Sequence, residues 1–381
     1  MESVCFTGAC PDMTREELTE MAEEKFEVKT SVTKDLDILV CADPNEGSSK
    51  LEKAKKNGTL IISYEDFLEM LDSDDDDDDD EEGLYSHAEA KKILKHLRKA
   101  YAEECVRIKT SVKNEPLLMT ASKFGGLPYW TAGEEYPKDK DGNMLTLLAQ
   151  INFADVPHLP DYPEKGLLQI FILADLSQGR DMDDDGTTQN YWRVVWREDV
   201  DESLALSADA LHEMGVQSAE EIMQKEHERR DSQMKSGKKL TLEHDFPLEK
   251  EYALTFEKGI SHPNQMLTEY NDMATSAAKE FGYPVYEDPQ GSFSEDLDMD
   301  DYFCEDSKDG TLHQIGGYPF FVQRDGRSED EEEVLLLQID SEYNTDVDIS
   351  WGDNGIANFF ITPEALKKRD FSKVRYYSDC Y

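Results

Sequence analysis

Two stretches decide the fold of the larger part of this chain: Phe124-Gly125-Gly126-Leu127-Pro128-Tyr129 and Ile315-Gly316-Gly317-Tyr318-Pro319-Phe320. Each Gly-Gly turn leads to an apolar run with a glutamine in it. The first is Leu147-Leu148-Ala149-Gln150-Ile151, the second Leu335-Leu336-Leu337-Gln338-Ile339. Each copy closes on a third run, Gly166 to Ile172 and Gly355 to Ile361. The spacings match: Gly126 to Gln150 is 24 residues against 21 from Gly317 to Gln338, and Gln150 to Gln169 is 19 against 20 from Gln338 to Asn358. Runs of this length bounded by glycine read as strands, so the pattern predicts a β-rich α+β domain built from two related repeats. Stretches near 203–245 and 263–310 interrupt it as polar insertions. In the first, Glu226 to Arg230 reads as a solvated helix face.

Upstream, residues 72–83 form an acidic linker between a segment of 71 residues and a domain spanning 84–381. Like charges at this density repel and keep a spacer extended. The chain carries 85 acids against 40 lysines and arginines, a net charge of −45, and removing the ten acids of that run still leaves −35. This excludes extensive non-specific nucleic-acid binding, which rests on lysine and arginine displacing counterions. A content of 10% aromatic residues supports a packed core, so global disorder is excluded too. No apolar run is long enough to span a membrane, and Met1-Glu2-Ser3 opens without a signal peptide. Six scattered cysteines without paired spacing point to reduced thiols and an intracellular location, with no metal site and no cofactor expected.

Before the linker, strand and helix signals alternate. Val4 to Phe6, Val28 to Val32, Ile38 to Cys41 and Leu60 to Ile62 read as four strands. Thr14 with Glu17 and Ser49 with Glu52 form capping boxes that start two helices between them, and Ser63 caps a third helix bearing Phe67, Leu68 and Leu71. Strands joined through helices make a small parallel α/β sheet. The ordered set Val4-Cys5-Phe6-Thr7-Gly8, Met13-Thr14-Arg15, Asp37-Ile38-Leu39-Val40 and Ser48-Ser49-Lys50-Leu51 through Gly58 resembles a BRCT domain. The type is that of NAD-dependent DNA ligases and of the large subunit of the replication clamp loader. Departures are Glu24-Lys25-Phe26, where the family has a glycine pair, and Phe67, where it has tryptophan. Over residues 85–381 the chain is similar to the YwqG-like family. Besides the two repeats, Trp351-Gly352-Asp353-Asn354-Gly355 and the ending Lys368 to Val374 carry that likeness, which implies no established activity.

The BRCT resemblance implies strand order 2-1-3-4, which puts the loops after the first and third strands beside each other at a switch point where ligands bind. Thr7 offers a hydroxyl and Gly8 an open backbone N–H. Lys50, expected at the first position of the second helix with Ser49 as its cap, and Arg15, near the start of the first, oppose the helix dipoles unless an anion shares the site. Thr7, Gly8, Arg15, Ser49 and Lys50 are therefore the phosphate-binding candidates. A DNA 5′-phosphate end is favoured over a phosphoprotein as partner.

In the second domain, Gln150 and Gln338 either tie down the Gly-Gly turns or line a pseudo-symmetric cleft. Asp353 is either a turn residue or a general base or metal ligand. The overall expectation is a non-enzymatic adaptor, with the ligand of the second domain unknown. The alternatives are an enzyme whose active site lies between the repeats and a protein–protein assembly module with a vestigial phosphate pocket.

Overall fold

The computed structural model describes residues 3–8, 10, 13–23, 25–34, 36–42, 49–57, 59–64, 67–68, 87–285, 313–328 and 330–381. The acidic linker, most of the loop at 42–49, Glu24, Gly58, Leu71, Cys304 and residues 286–310 of the second insertion lie outside them. The chain divides into two compact units, Met1–Glu82 and Gly83–Tyr381.

The first unit comprises β1 (Ser3–Thr7), α1 (Arg15–Glu23), β2 (Glu27–Val28), β3 (Ile38–Cys41), α2 (Ser49–Asn57) and β4 (Leu60–Ser63), with sheet order β2-β1-β3-β4 and every pair parallel. Side chains of a strand alternate between faces, and both faces here are covered. Val4, Phe6, Ile38 and Val40 pack with Leu18 and Ala22 of α1, while Cys5, Leu39 and Cys41 pack with Leu51 and Ala54 of α2. That is why the central strands read as unbroken apolar runs. The Thr14–Glu17 capping box forms, with the Glu17 carboxylate accepting from Thr14 N at 2.8 Å.

Two local expectations are corrected. The second strand stops at Val28, because after Lys29 N bonds to the Val4 carbonyl the chain turns to bury Val32 beside Leu39 and Leu51. Ser49 is the first residue of α2 and not its cap, so Lys50 is the second helical residue.

The second unit contains α3 (His87–Ala100), β5 (Glu103–Ser111), β6 (Lys123–Phe124), β7 (Thr146–Asn152), β8 (Leu167–Ile172), β9 (Trp192–Arg197), α4 (Ala208–Glu213) and α5 (Ala219–Lys235). It continues with β10 (Tyr252–Ser261), α6 (Tyr270–Glu280), β11 (Gln314–Ile315), β12 (Val334–Asp340), β13 (Glu342–Tyr343), β14 (Asp348–Ile349), β15 (Ile356–Ile361), α7 (Pro363–Lys368) and β16 (Arg375–Asp379). Ten strands form one antiparallel sheet in the order β16-β15-β12-β11-β5-β10-β6-β7-β8-β9. The central pair β5/β10 separates β6–β9 on one side from β11, β12, β15 and β16 on the other, so the sequence repeat is a structural one.

Both copies share details finer than strand order. The two glycines of each turn have φ of 69° and 72°. The register slips once in each copy, between Leu147 and Ala149 and between Leu335 and Leu337. Each slip is a bulge that increases local twist. The sheet curls until Trp192 on one outer strand lies 5.8 Å from Tyr376 on the other, ring centre to ring centre. One apolar core, including Phe124, Ile151 and Ile170 from the first copy and Ile315, Leu337 and Phe359 from the second, fills the interior.

The insertions are less polar than expected. Within residues 263–285, α6 buries Tyr270, Ala274, Ala277 and Ala278 against Ile93, Leu94 and Leu97 of α3, so this helix is a core element. In α5, Glu226 is buried and its carboxylate accepts two bonds from Arg229, at 2.6 and 2.8 Å. That stretch is only partly a solvated face.

Candidate functional site

At the end of β1 the backbone swings through Gly8 at φ +82°, a conformation that glycine adopts without steric cost. A Cβ placed on Gly8 would lie 3.4 Å from the Ala42 Cβ, so the segments following β1 and β3 meet here. Two cations reach this strand end from opposite faces of the sheet. From the start of α2, Lys50 Nζ lies 3.2 Å from the Phe6 carbonyl oxygen, 3.3 Å from the Thr30 carbonyl oxygen and 3.6 Å from Cys5 Sγ. From the start of α1, Arg15 donates to the Gly8 carbonyl, with its guanidinium carbon 5.3 Å from the centre of the Phe6 ring and 5.8 Å from that of Tyr64. Among the described residues, no carboxylate pairs with either cation and nothing engages the Thr7 hydroxyl.

Tyr64 completes the arrangement. Its hydroxyl lies 3.1 Å from the Thr7 carbonyl oxygen and 3.0 Å from that of Gly8, and burial holds its pKa above the ordinary phenol value against the opposing Arg15 charge. Thr7, Gly8, Arg15 and Lys50 are thus brought together, with Ser49 exposed one residue before Lys50. Tyr64 and the Phe6 ring are parts that strand–helix alternation does not reveal. No periodicity says that the residue after β4 folds back over the end of β1.

In the second unit the polar residues of the repeats do one job twice. Gln150 Oε1 accepts from Tyr129 N at 2.9 Å, and Gln169 Nε2 donates to the Tyr129 carbonyl at 2.9 Å. Gln338 Oε1 accepts from Phe320 N at 2.8 Å, and Asn358 Nδ2 donates to the Phe320 carbonyl at 2.8 Å. Each bracket joins two residues that face one another across strands, Gln150 with Gln169 and Gln338 with Asn358. Gln150 Nε2 also donates to the carbonyls of Met119 and Ala121. The glutamines are enclosed, at 0% and 1% exposure, and each belongs to a bracket that fixes the residue after its Gly-Gly-x-Pro turn, in keeping with the first of the two readings and not with a cleft. Asp353 is not brought to them. It lies exposed in a turn with Gly352 at φ 62° and Asn354 at φ 49°, and its carbonyl accepts from Tyr381 N.

A family model described as "Domain of unknown function (DUF1963)" matches residues 122–380, and one described as "BRCA1 C Terminus (BRCT) domain" matches residues 3–71. The chain belongs to the DUF1963 family. Its DUF1963 domain holds the two bracketed repeats, and its BRCT domain holds the Lys50–Arg15 strand end. The BRCT domain is similar to a DNA ligase of Treponema denticola, 44% identical over 70 residues, which is 18% of this chain and 11% of the ligase. A DNA ligase of Christiangramia forsetii is 42% identical over 67 residues, 17% of this chain and 10% of that enzyme. The chain thus spans about a tenth of the length of these curated relatives.

Chemically, the BRCT site offers two permanent positive charges on weak neutral acceptors, with a hydroxyl and a glycine backbone between them. Charge-assisted bonds to phosphate are roughly twice as strong as neutral ones, so a phosphate would be a better acceptor for both cations than the carbonyls they touch. In the DUF1963 domain, His313 is enclosed, and its Nδ1 accepts from Asp340 N at 2.9 Å. The proton is therefore on Nε2, which donates to Glu342 Oε2 at 3.1 Å. Among the described residues, no group of three or more acidic, histidine or cysteine side chains is placed to hold a metal ion.

Proposed function

We propose that this protein is a non-enzymatic adaptor whose BRCT domain captures a phosphate-bearing partner, a DNA 5′-phosphate end in preference to a phosphoprotein. The observation that carries this reading is the convergence of Lys50 and Arg15 on the Phe6 and Gly8 carbonyls, beside a Thr7 hydroxyl that none of the described residues engages. Two cations that pair with no carboxylate among the described residues, in an α/β unit of residues 1–71 that has a net charge of −8, are local attractors for an anion. The named DNA ligases, similar over this unit alone, favour DNA over a phosphopeptide. For the DUF1963 domain, an apolar filling between the repeats and enclosed glutamines bonded to the backbone at Tyr129 and Phe320 favour a packed scaffold over an active site.

The test compares 5′-phosphorylated and dephosphorylated duplexes by fluorescence anisotropy, in wild type and Lys50→Ala. Tighter binding of the phosphorylated form, lost in Lys50→Ala, is expected. Equal binding of both forms by wild type would discard the reading, and a preference for phosphopeptide would reassign the partner.

A further inference from the structure

The two helices that start at the phosphate pocket differ sharply in charge. α1 carries four glutamates against Arg15, whereas α2 carries four lysines against Glu52. Half of the eight cations in residues 1–71 therefore sit on one nine-residue helix. Lys50, Lys53 and Lys56 recur every three residues, which places them along one ridge of α2. Leu51 and Ala54 turn a different side of the helix into the sheet, next to Lys50 and away from Lys53 and Lys56. Lys53 and Lys56 are exposed, and among the described residues no carboxylate pairs with either. Attraction to the helix dipole accounts for lysines in the last turn, where Lys55 and Lys56 lie, but not for Lys50 in the first turn or Lys53 in the middle of the helix.

Resting on the pocket reading above, we infer that the ridge of α2 is the track for the DNA beyond the bound end. The strand whose terminal phosphate sits at Thr7, Gly8, Arg15 and Lys50 continues along Lys53 and Lys56 with its backbone phosphates against their ammonium groups. Six residues of helix rise ~9 Å, and one strand of duplex carries a phosphate every ~3.4 Å along its axis, so the ridge matches two to three successive phosphates. The opposite side of the pocket repels the same strand, because the exposed Glu17 and Glu23 of α1 add negative charge there. The charge difference between the helices thus fixes a direction as well as an affinity. A phosphopeptide has no repeating backbone charge to follow such a ridge.

The experiment uses the full chain and two probes, a short 5′-phosphorylated duplex and a nucleoside 5′-monophosphate. Lys53→Gln/Lys56→Gln is expected to weaken duplex binding on the order of tenfold at 0.1 M salt, and to lower the slope of log affinity against log salt by about 2. Mononucleotide binding should stay unchanged in this variant, whereas Lys50→Ala should weaken both probes. Both replaced side chains are solvent-facing, and an unchanged circular dichroism spectrum checks the fold. Duplex affinity and salt slope equal to wild type in the double variant, with phosphate discrimination intact, would overturn the track and leave the pocket standing. Absence of phosphate discrimination in wild type would remove the pocket, and the track with it.

Discussion

Lys50 and Arg15 grip the same strand end through carbonyls two residues apart: Lys50 Nζ lies 3.2 Å from the Phe6 oxygen, and the Arg15 guanidinium donates to Gly8. They come from helices on opposite faces of the sheet, so the end of β1 is the one place both can reach. A residue at a helix start normally helps by being acidic or by capping. Two cations there, held by neutral oxygens and facing no carboxylate among the described residues, form a site whose electrostatics favour an added anion.

Tyr64 is expected to matter to this site without touching the ligand. Tyr64→Phe leaves the carbonyls of Thr7 and Gly8 without their shared hydroxyl donor. The variant should lose about 1 kcal/mol of BRCT stability and bind a 5′-phosphorylated duplex more weakly. Denaturant unfolding and anisotropy measure the two effects. An unchanged unfolding midpoint would show that the hydroxyl does not hold the strand end.

The brackets of the DUF1963 repeats should differ in what they contribute. Gln150→Leu removes the acceptor shared by Tyr129 N and Gln169 Nε2 and the donor to the carbonyls of Met119 and Ala121. The cost should be on the order of 3 kcal/mol, since each unsatisfied buried group costs roughly 1–3 kcal/mol. Asn358→Leu removes one bond to Phe320 but also an amide oxygen that is itself buried and unbonded, so about 1 kcal/mol is expected. Urea unfolding of both variants checks the ranking. Equal losses would show that the second bracket supports its turn as strongly as the first.

Alkaline pH should unfold the DUF1963 domain by a route its tyrosines define. Tyr136, Tyr162 and Tyr376 are enclosed, and burial pushes their hydroxyls above the ordinary phenol value. The fold therefore binds these protons more tightly than the unfolded chain, which releases them near pH ~10. Stability is fully present below that pH and falls as pH rises through and beyond it. The melting temperature should drop steadily above about pH 10, and tyrosinate absorbance should grow together with the loss of β-sheet circular dichroism. Ionisation of these tyrosines in an intact fold would contradict the assignment.

Much of this architecture could be read from residue order. The runs around Val4, Ile38 and Leu60, separated by capping boxes, carry the parallel sheet because both faces of its strands are buried. The two Gly-Gly turns carry the duplication because positive φ at successive residues leaves little choice but glycine. What escaped has physical causes. The buried face of α6 is built largely from Ala274, Ala277 and Ala278, whose small hydrophobicity is masked by the polar residues around them. That Gln150 and Gln338 are buried follows from their apolar strands. That their partners are Tyr129 N and Phe320 N does not, since those groups lie 21 and 18 residues away along the chain. Lys50 and Arg15 were legible as misplaced cations, whereas the Phe6 and Tyr64 rings beneath Arg15 depend on tertiary contact.

The meeting of Trp192 with Tyr376 bears on how this molecule behaves at high concentration. Outermost strands are where sheets from separate molecules zip together into fibrils. Here Tyr376 N on β16 already bonds to the Gly186 carbonyl, and a Cβ added to Gly186 would collide with the Tyr376 oxygen at 2.1 Å. The seam therefore shields its own last strand from recruiting another molecule. Widening it, as Gly186→Val would, should turn a well-behaved solution into one that aggregates.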